Sequence, residues 1–169
     1  ISKIQNFYRN TKLLYIMILG GVIGILFPAF ITGYILIKQN HNMRLHSLKV
    51  VGNNTLTNLS TALRGHLWDL REDLAKELID TVITHRDIKK IKVYDASSKK
   101  IFVEVNKPNL EGENLFEFKK PIVHNQKVIG ELTIVLSDYY VYEDISKLSK
   151  QFIYIFAGQL IISLTLIFI

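Results

Sequence analysis

Two stretches of the chain carry no charged residue: Leu13 to Ile37, 25 residues, and Gln151 to Ile169, 19 residues. A helix needs about 20 apolar residues to cross a hydrocarbon core about 30 Å thick. Each stretch therefore reads as a transmembrane helix, over 13-37 and 151-169. After the first, residues 38-62 are polar and rich in Asn (Asn40, Asn42, Asn53, Asn54, Asn58), with apolar residues at Met43, Leu45, Leu48, Val51, Leu56 and Leu59. Several of those intervals are three, four or seven, which predicts a helical stalk continuing the span outward. Gly52 beside Asn53 and Asn54 weakens the helix locally, because Gly and Asn are poor helix interiors. From Leu63 the pattern is firmer: Leu67, Leu70, Leu74, Leu78 and Val82 recur at helical spacing while charged residues fill the other faces. One amphipathic helix is expected from Leu63 to about Thr84.

The period then changes to two. Ile91 and Val93 alternate with Lys90, Lys92 and Tyr94; Ile101, Val103 and Val105 alternate with Phe102 and Glu104; Asp95-Ala96-Ser97-Ser98 forms the turn of a hairpin between them. A connection holding Pro108 and Gly112 leads to Leu115–Lys119 and then Pro121–Val123. Val128 to Leu136 alternates again and pairs across a turn at His124–Lys127. The fold class expected is α+β: two transmembrane helices flank a domain, residues 63-137, in which a four- to five-stranded antiparallel sheet packs on a long helix. Ser137 and Asp138 suit the start of a connecting helix over 138-150, with Asp138 in the first turn where the helix dipole favours an acid. Val141, Ile145, Leu148 and Phe152 carry its period into the second span.

Charge sets the orientation. The chain of 169 residues has a formal charge of +6, yet all fifteen acids lie between Asp69 and Asp144. Lys3, Arg9 and Lys12 make residues 1-12 a basic tail without acids. Basic residues beside a first span hold that end in the cytoplasm. The middle of the chain is then periplasmic or extracellular, and the protein is a two-pass protein of the inner (plasma) membrane. A cleaved signal peptide competes for the first span, but its apolar region runs only about 7 to 15 residues. Because the second uncharged stretch reaches Ile169 with no polar flank, the sequence reads as a piece of a longer polypeptide.

Composition also removes functions. The middle segment has no basic stripe interleaved with aromatics, so no nucleic acid is expected as a partner. With no Cys there is no disulfide framework, thiolate metal site or Cys nucleophile. The five His residues, at 41, 46, 66, 85 and 124, contain no i, i+4 pair, and no phosphate loop or nucleophile elbow occurs. No metal, no cofactor and no catalytic residue is expected within these residues.

The order of a membrane helix, a long polar helix, Leu67-Trp68-Asp69-Leu70, the run Ile88-Lys89-Lys90-Ile91-Lys92-Val93-Tyr94-Asp95, then Pro121-Ile122 and Val128-Ile129-Gly130-Glu131-Leu132-Thr133-Ile134 resembles the extracytoplasmic PAS-like sensor modules of bacterial transmembrane receptors. The resemblance covers nearly the whole chain. It departs from the pattern at Ser97-Ser98, where a turn glycine usually follows the Asp. The resemblance implies a second span leading to a signalling helix and a catalytic output domain: a histidine kinase first, a diguanylate cyclase or chemoreceptor as the alternative.

Candidate residues each carry two readings. Trp68, with His66 and Asp69, either packs against the sheet or lines a ligand pocket. His85, Arg86 and Asp87 either cap the helix end or bind an anion, and Arg86 and Tyr94 fall where anion-binding sensors of this shape place donors. The stimulus site is expected on the sheet face near Arg86, Tyr94 and Phe102. Gly20 and Gly24 form a small-xxx-small pair that lets two helices approach, marking a dimer contact, and Pro28 loosens the same helix. The partners expected are a second copy of the chain in a homodimer, the lipid bilayer, and an extracytoplasmic ligand or partner protein. The function expected is sensory input to a signalling receptor, working only if the ligand binds two arrangements with different affinity. A membrane-anchored assembly subunit is the reading from another class; a transport accessory lacks ionisable residues inside the spans.

Overall fold

The computed structural model describes residues 2–108 and 114–168. The element order is α1 (Ser2–Trp68), α2 (Glu72–Ile83), β1 (Ile88–Asp95), β2 (Lys100–Asn106), β3 (Leu115–His124), β4 (Lys127–Ser137) and α3 (Tyr139–Phe168). The class is α+β with one four-stranded antiparallel sheet. Two compact units divide the chain, His41–Asp144 on the one hand and Ile1–Asn40 with Ile145–Ile169 on the other.

In the unit His41–Asp144 the sheet order is β2-β1-β4-β3, every pair antiparallel. Its inner face presents Ile91, Val93, Val103, Leu132, Ile134 and Leu136, each buried. Against it lie Leu48, Leu56, Leu59, Leu63 and Leu67 of α1 and Ala75, Ile79 and Ile83 of α2 in one core. Burying a Leu or Ile side chain stabilises by about 1.5–3 kcal/mol, so these residues hold both helices on the sheet. The other face carries Lys92, Tyr94, Glu131 and Thr133.

Four expectations change. The helix over Leu63 to Thr84 is two helices: α1 stops at Trp68, where Arg71 N donates to His66 O at 2.8 Å and Leu70 N to Leu67 O at 3.3 Å, around Leu70 at φ 55°. That is a Schellman stop, usually made by glycine. The leucine period runs through it, so the break is not visible in the spacing. Leu78 and Val82 lie at the core's edge and Leu74 is half-buried, while Ala75, Ile79 and Ile83 fill the core. Second, Leu115–Lys119 and Pro121–Val123 are a single strand, so the sheet has four strands; Pro121 is tolerated because β3 is an edge strand. Gly112 lies outside the described residues.

Third, α1 continues helical through Gly52. A Cβ there would stand 2.7 Å from Leu136 Cδ1 and 2.7 Å from Phe118 Cε2; the glycine is the point where the helix meets the sheet. Fourth, Asp138 precedes α3 and has no exposed surface. Its carboxylate accepts from Asn114 N at 3.1 Å and Asn114 Nδ2 at 2.8 Å, fixing the chain ahead of β3.

The other unit consists of helical segments of α1 and α3. Residues 2–12, expected as a tail, are helical. Gly33 faces the Phe152 ring so closely that a Cβ would overlap it, and Phe30 meets Phe156 edge-on at 6.2 Å between centroids. A Cβ at Gly20 or Gly24 would meet nothing within 4 Å. Among the described residues, one helix, α1, is long and apolar enough to cross a membrane. The second expected span falls in α3; Ile169 lies outside the described residues.

Candidate functional site

Antiparallel order places the β1–β2 and β3–β4 turns at one end of the sheet, and α1 ends there too. Each turn is closed by a different device. Asp95 accepts from Ser97 N at 2.9 Å and Ser98 N at 3.1 Å, and the left-handed conformation that the missing glycine would have supplied is taken by Lys99, φ 55°. Asn125 and Gln126, φ 47° and 63°, form the two-residue turn between β3 and β4, with positive φ at both central positions as tight hairpins require.

Between these turns and the end of α1 lies a cavity of about 450 Å³. Leu67, Trp68 and Leu70 line it from the helix end, Phe102 and Ile129 from the sheet. Both sheet residues occupy β-bulges. Val93 pairs with Val103 and Tyr94 with Ile101, leaving Phe102 between; Ile122 pairs with Gly130 and Val123 with Val128, leaving Ile129 between. A bulge breaks the alternation of a strand, so Phe102 joins Val103 on the helix side and Ile129 joins Gly130. Gly130 has no room for a Cβ beside Leu67 and the Tyr94 carbonyl, which lets the end of α1 lie directly on β4. Trp68 stacks on His124, centroids 4.5 Å apart and planes 25° apart, yet is 53% exposed.

The polar groups of the cavity are Asp95, Ser97, Ser98 and Lys127. The Ser98 side chain, helped by the Ser97 and Ser98 amides and opposed by burial, holds the Asp95 carboxyl below the usual carboxylate range. The arrangement suits binding: an apolar chamber, an aromatic wall and one ammonium at the rim.

The residues singled out in the sequence do not converge. Trp68 and Phe102 line this cavity together. Tyr94 lines a different hollow of about 260 Å³ on the opposite face, among Lys92, Lys119, Glu117 and Glu131. There Lys90 pairs with Glu104 at 2.6 Å, and that ammonium holds the Glu104 carboxyl below its ordinary value. Arg86 precedes β1, at the other end of that strand, and is engaged. It donates to Asp144 Oδ2 at 2.9 Å, lies 3.7 Å from Asp87, and covers the Tyr140 ring at 5.4 Å. Asp144 also meets Arg44 at 3.7 Å. The Asp144 hydrogen bond raises the Arg86 pKa above its ordinary value. His85 lies 3.8 Å from Asp87 and lines a third cleft, about 470 Å³, between α1 and α2.

Sequence reasoning did not single out Leu70, Lys127 or Ile129. Their signal lies in the topology: once the strand order is known, both turns and the helix end must share one edge of the domain. Among the described residues no three His, Asp or Glu side chains gather as a metal-binding group. The chain matches no known protein family, and no characterised protein matches it.

Proposed function

We propose that this chain is the sensory input module of a bacterial transmembrane receptor, with the unit His41–Asp144 as a PAS-like domain outside the cytoplasm and the cavity walled by Trp68 and Phe102 as its stimulus site. The observation that carries the reading is the order along one chain. An apolar stretch in α1 able to cross a bilayer comes first, a folded α+β unit with a ligand-sized cavity follows, and a second uncharged stretch begins at Gln151. The histidine-kinase output and the PAS-like kinship rest on the resemblance of the motif order.

Signalling requires that ligand binding favour one of two arrangements. Asp144 offers the place where the domain grips the start of α3: its carboxylate is shared between Arg44 of α1 and Arg86 ahead of β1. A change at the sheet reaches α3 through that shared carboxylate. Receptors of this kind work as homodimers, and Met43 and Val50, seven residues apart on α1, are both exposed large apolar side chains, 63% and 44%. Leu48, Gly52, Leu56, Leu59 and Leu63 are buried and face the sheet domain.

Single-Cys scanning of residues 43–63 tests the reading in a chain that has no Cys of its own. Crosslinks between copies should recur near every 3.5 residues, in phase with Met43 and Val50 and absent at Leu56 and Leu59. Uniform or absent crosslinking would remove the dimeric receptor.

A further inference from the structure

We infer that the cavity at the end of α1 binds a monocarboxylate with an aromatic-sized apolar body, the body against Trp68 and Phe102 and the carboxylate at Lys127. The inference rests on the reading of that cavity as the stimulus site and goes beyond it by naming the ligand class.

The chamber is apolar. Leu67, Leu70, Phe102 and Ile129 supply aliphatic and aromatic surface, and Trp68 closes one side. At about 450 Å³ the cavity falls within the range of small-molecule sites. Trp68 at 53% and Leu70 at 67% exposure leave large apolar surface in water at the rim, surface that an apolar guest would cover. Leu70 keeps φ 55° without being glycine, a conformation that costs an ordinary L-residue about 1–2 kcal/mol. Such cost collects at binding sites.

Charge selects the head group. Two ionisable residues line the chamber, Asp95 and Lys127. Asp95 is 5% exposed and already accepts from two backbone amides, so its charge is satisfied inside the turn. Lys127 is exposed, and its side chain takes part in none of the ion pairs or hydrogen bonds among the described residues. The turns at this end add Lys99 and Lys100, and the α1–α2 corner carries Arg71 with Asp69, Glu72 and Asp73. Trp68 and Phe102 could also attract a cation through their ring faces, but Lys127 repels one and the Asp95 carboxylate is not free to receive it. An anionic head is therefore favoured.

The test uses the full chain in phosphatidylcholine nanodiscs. Trp68 is its single tryptophan, so the emission reports this cavity alone. The probes are 3-phenylpropanoate and 3-phenylpropylamine, equal in body and opposite in charge. The acid should change Trp68 emission saturably, and the amine should not over the same range. Lys127→Gln should weaken the acid about tenfold or more, as loss of a charged hydrogen bond does. Lys127 is exposed at the start of β4, and an unchanged melting temperature shows that the variant folds. If the amine binds as well as the acid, or Lys127→Gln leaves acid binding intact, the ligand class is wrong while the cavity stands as a site. If neither probe shifts the emission saturably, the cavity does not bind such ligands, and the membrane topology and dimer can still be judged separately by Cys labelling and crosslinking.

Discussion

Phe102 of β2 and Ile129 of β4 stand at bulges on two different strands and line the same cavity. Without the bulges each would follow the alternation of its strand, and the chamber would lose its sheet-side wall. Deleting Phe102 should remove the first bulge, leaving Ile101 opposite Tyr94 directly beside the Val93–Val103 pair. The deletion variant should lose binding at Trp68 while keeping the far-UV circular dichroism of the sheet. Retained binding would show that the bulge is incidental.

Glycines at two positions of α1 should respond in opposite senses. Gly52→Ala places a Cβ against Leu136 and Phe118 and should cost about 1–3 kcal/mol through overpacking, reduced by the better helix propensity of Ala. Gly65 has nothing within 4 Å of its Cβ direction, so Gly65→Ala should stabilise by about 0.5–1 kcal/mol. Thermal unfolding of both variants reads the difference. Equal effects would mean that α1 does not rest on the sheet at Gly52.

Leu70→Gly should raise the melting temperature, because glycine adopts φ near 55° without steric cost. Leu70→Val should lower it, since a branched Cβ fits that conformation worse. If Val is tolerated as well as Leu, α1 does not end in the observed turn.

Acid should weaken the domain through two carboxyls. Asp95 and Glu104 both have folded pKa values below their ordinary ones, held there by Ser98 and by Lys90 respectively. A depressed carboxyl contributes stability that is fully present above its unfolded pKa, about 3.9 for Asp and 4.3 for Glu, and is lost as pH falls through the folded value. Stability should therefore be flat in this respect above about pH 5 and fall below about pH 4. Asp95→Asn should flatten the acid limb. A limb unchanged in Asp95→Asn and Glu104→Gln would assign it to other groups.

Asp144→Asn should loosen the start of α3. Exposed ion pairs contribute about 0.2–1 kcal/mol, and this carboxylate serves two, so the change in melting temperature should be small while amide exchange over residues 139–147 quickens. Arg86→Gln, which removes the nearer partner of the same carboxylate, should quicken exchange over the same residues. Identical exchange in all variants would show that the carboxylate does not hold the helix.

What the sequence discloses here follows from periodicity. Ile91 and Val93 in β1, and Leu132 and Ile134 in β4, alternate as half-buried strands should, and all four are core residues. The leucines of α1 lie where the three- and four-residue intervals place them. Periodicity fails where the backbone departs from it without a marker residue. Leu70 stops a helix with a side chain that also fits the helical period, and Phe102 bulges with no glycine beside it, whereas Ile129 has Gly130 as its neighbour. Gly52 misleads in the opposite direction, because a residue poor for helix interiors is required by the sheet behind it. The candidate site was legible only at Trp68 and Phe102, since the remaining lining residues meet through a strand order that local spacing does not encode.

The proposed receptor places the unit His41–Asp144 outside the cytoplasm between two membrane spans. With no native Cys to interfere, Ser97→Cys and Lys3→Cys can be labelled separately in intact spheroplasts with a membrane-impermeant thiol reagent. The account predicts labelling at position 97 without permeabilisation and at position 3 only after it. Protection at position 97 together with labelling at position 3 in intact spheroplasts would reverse the topology and contradict the receptor.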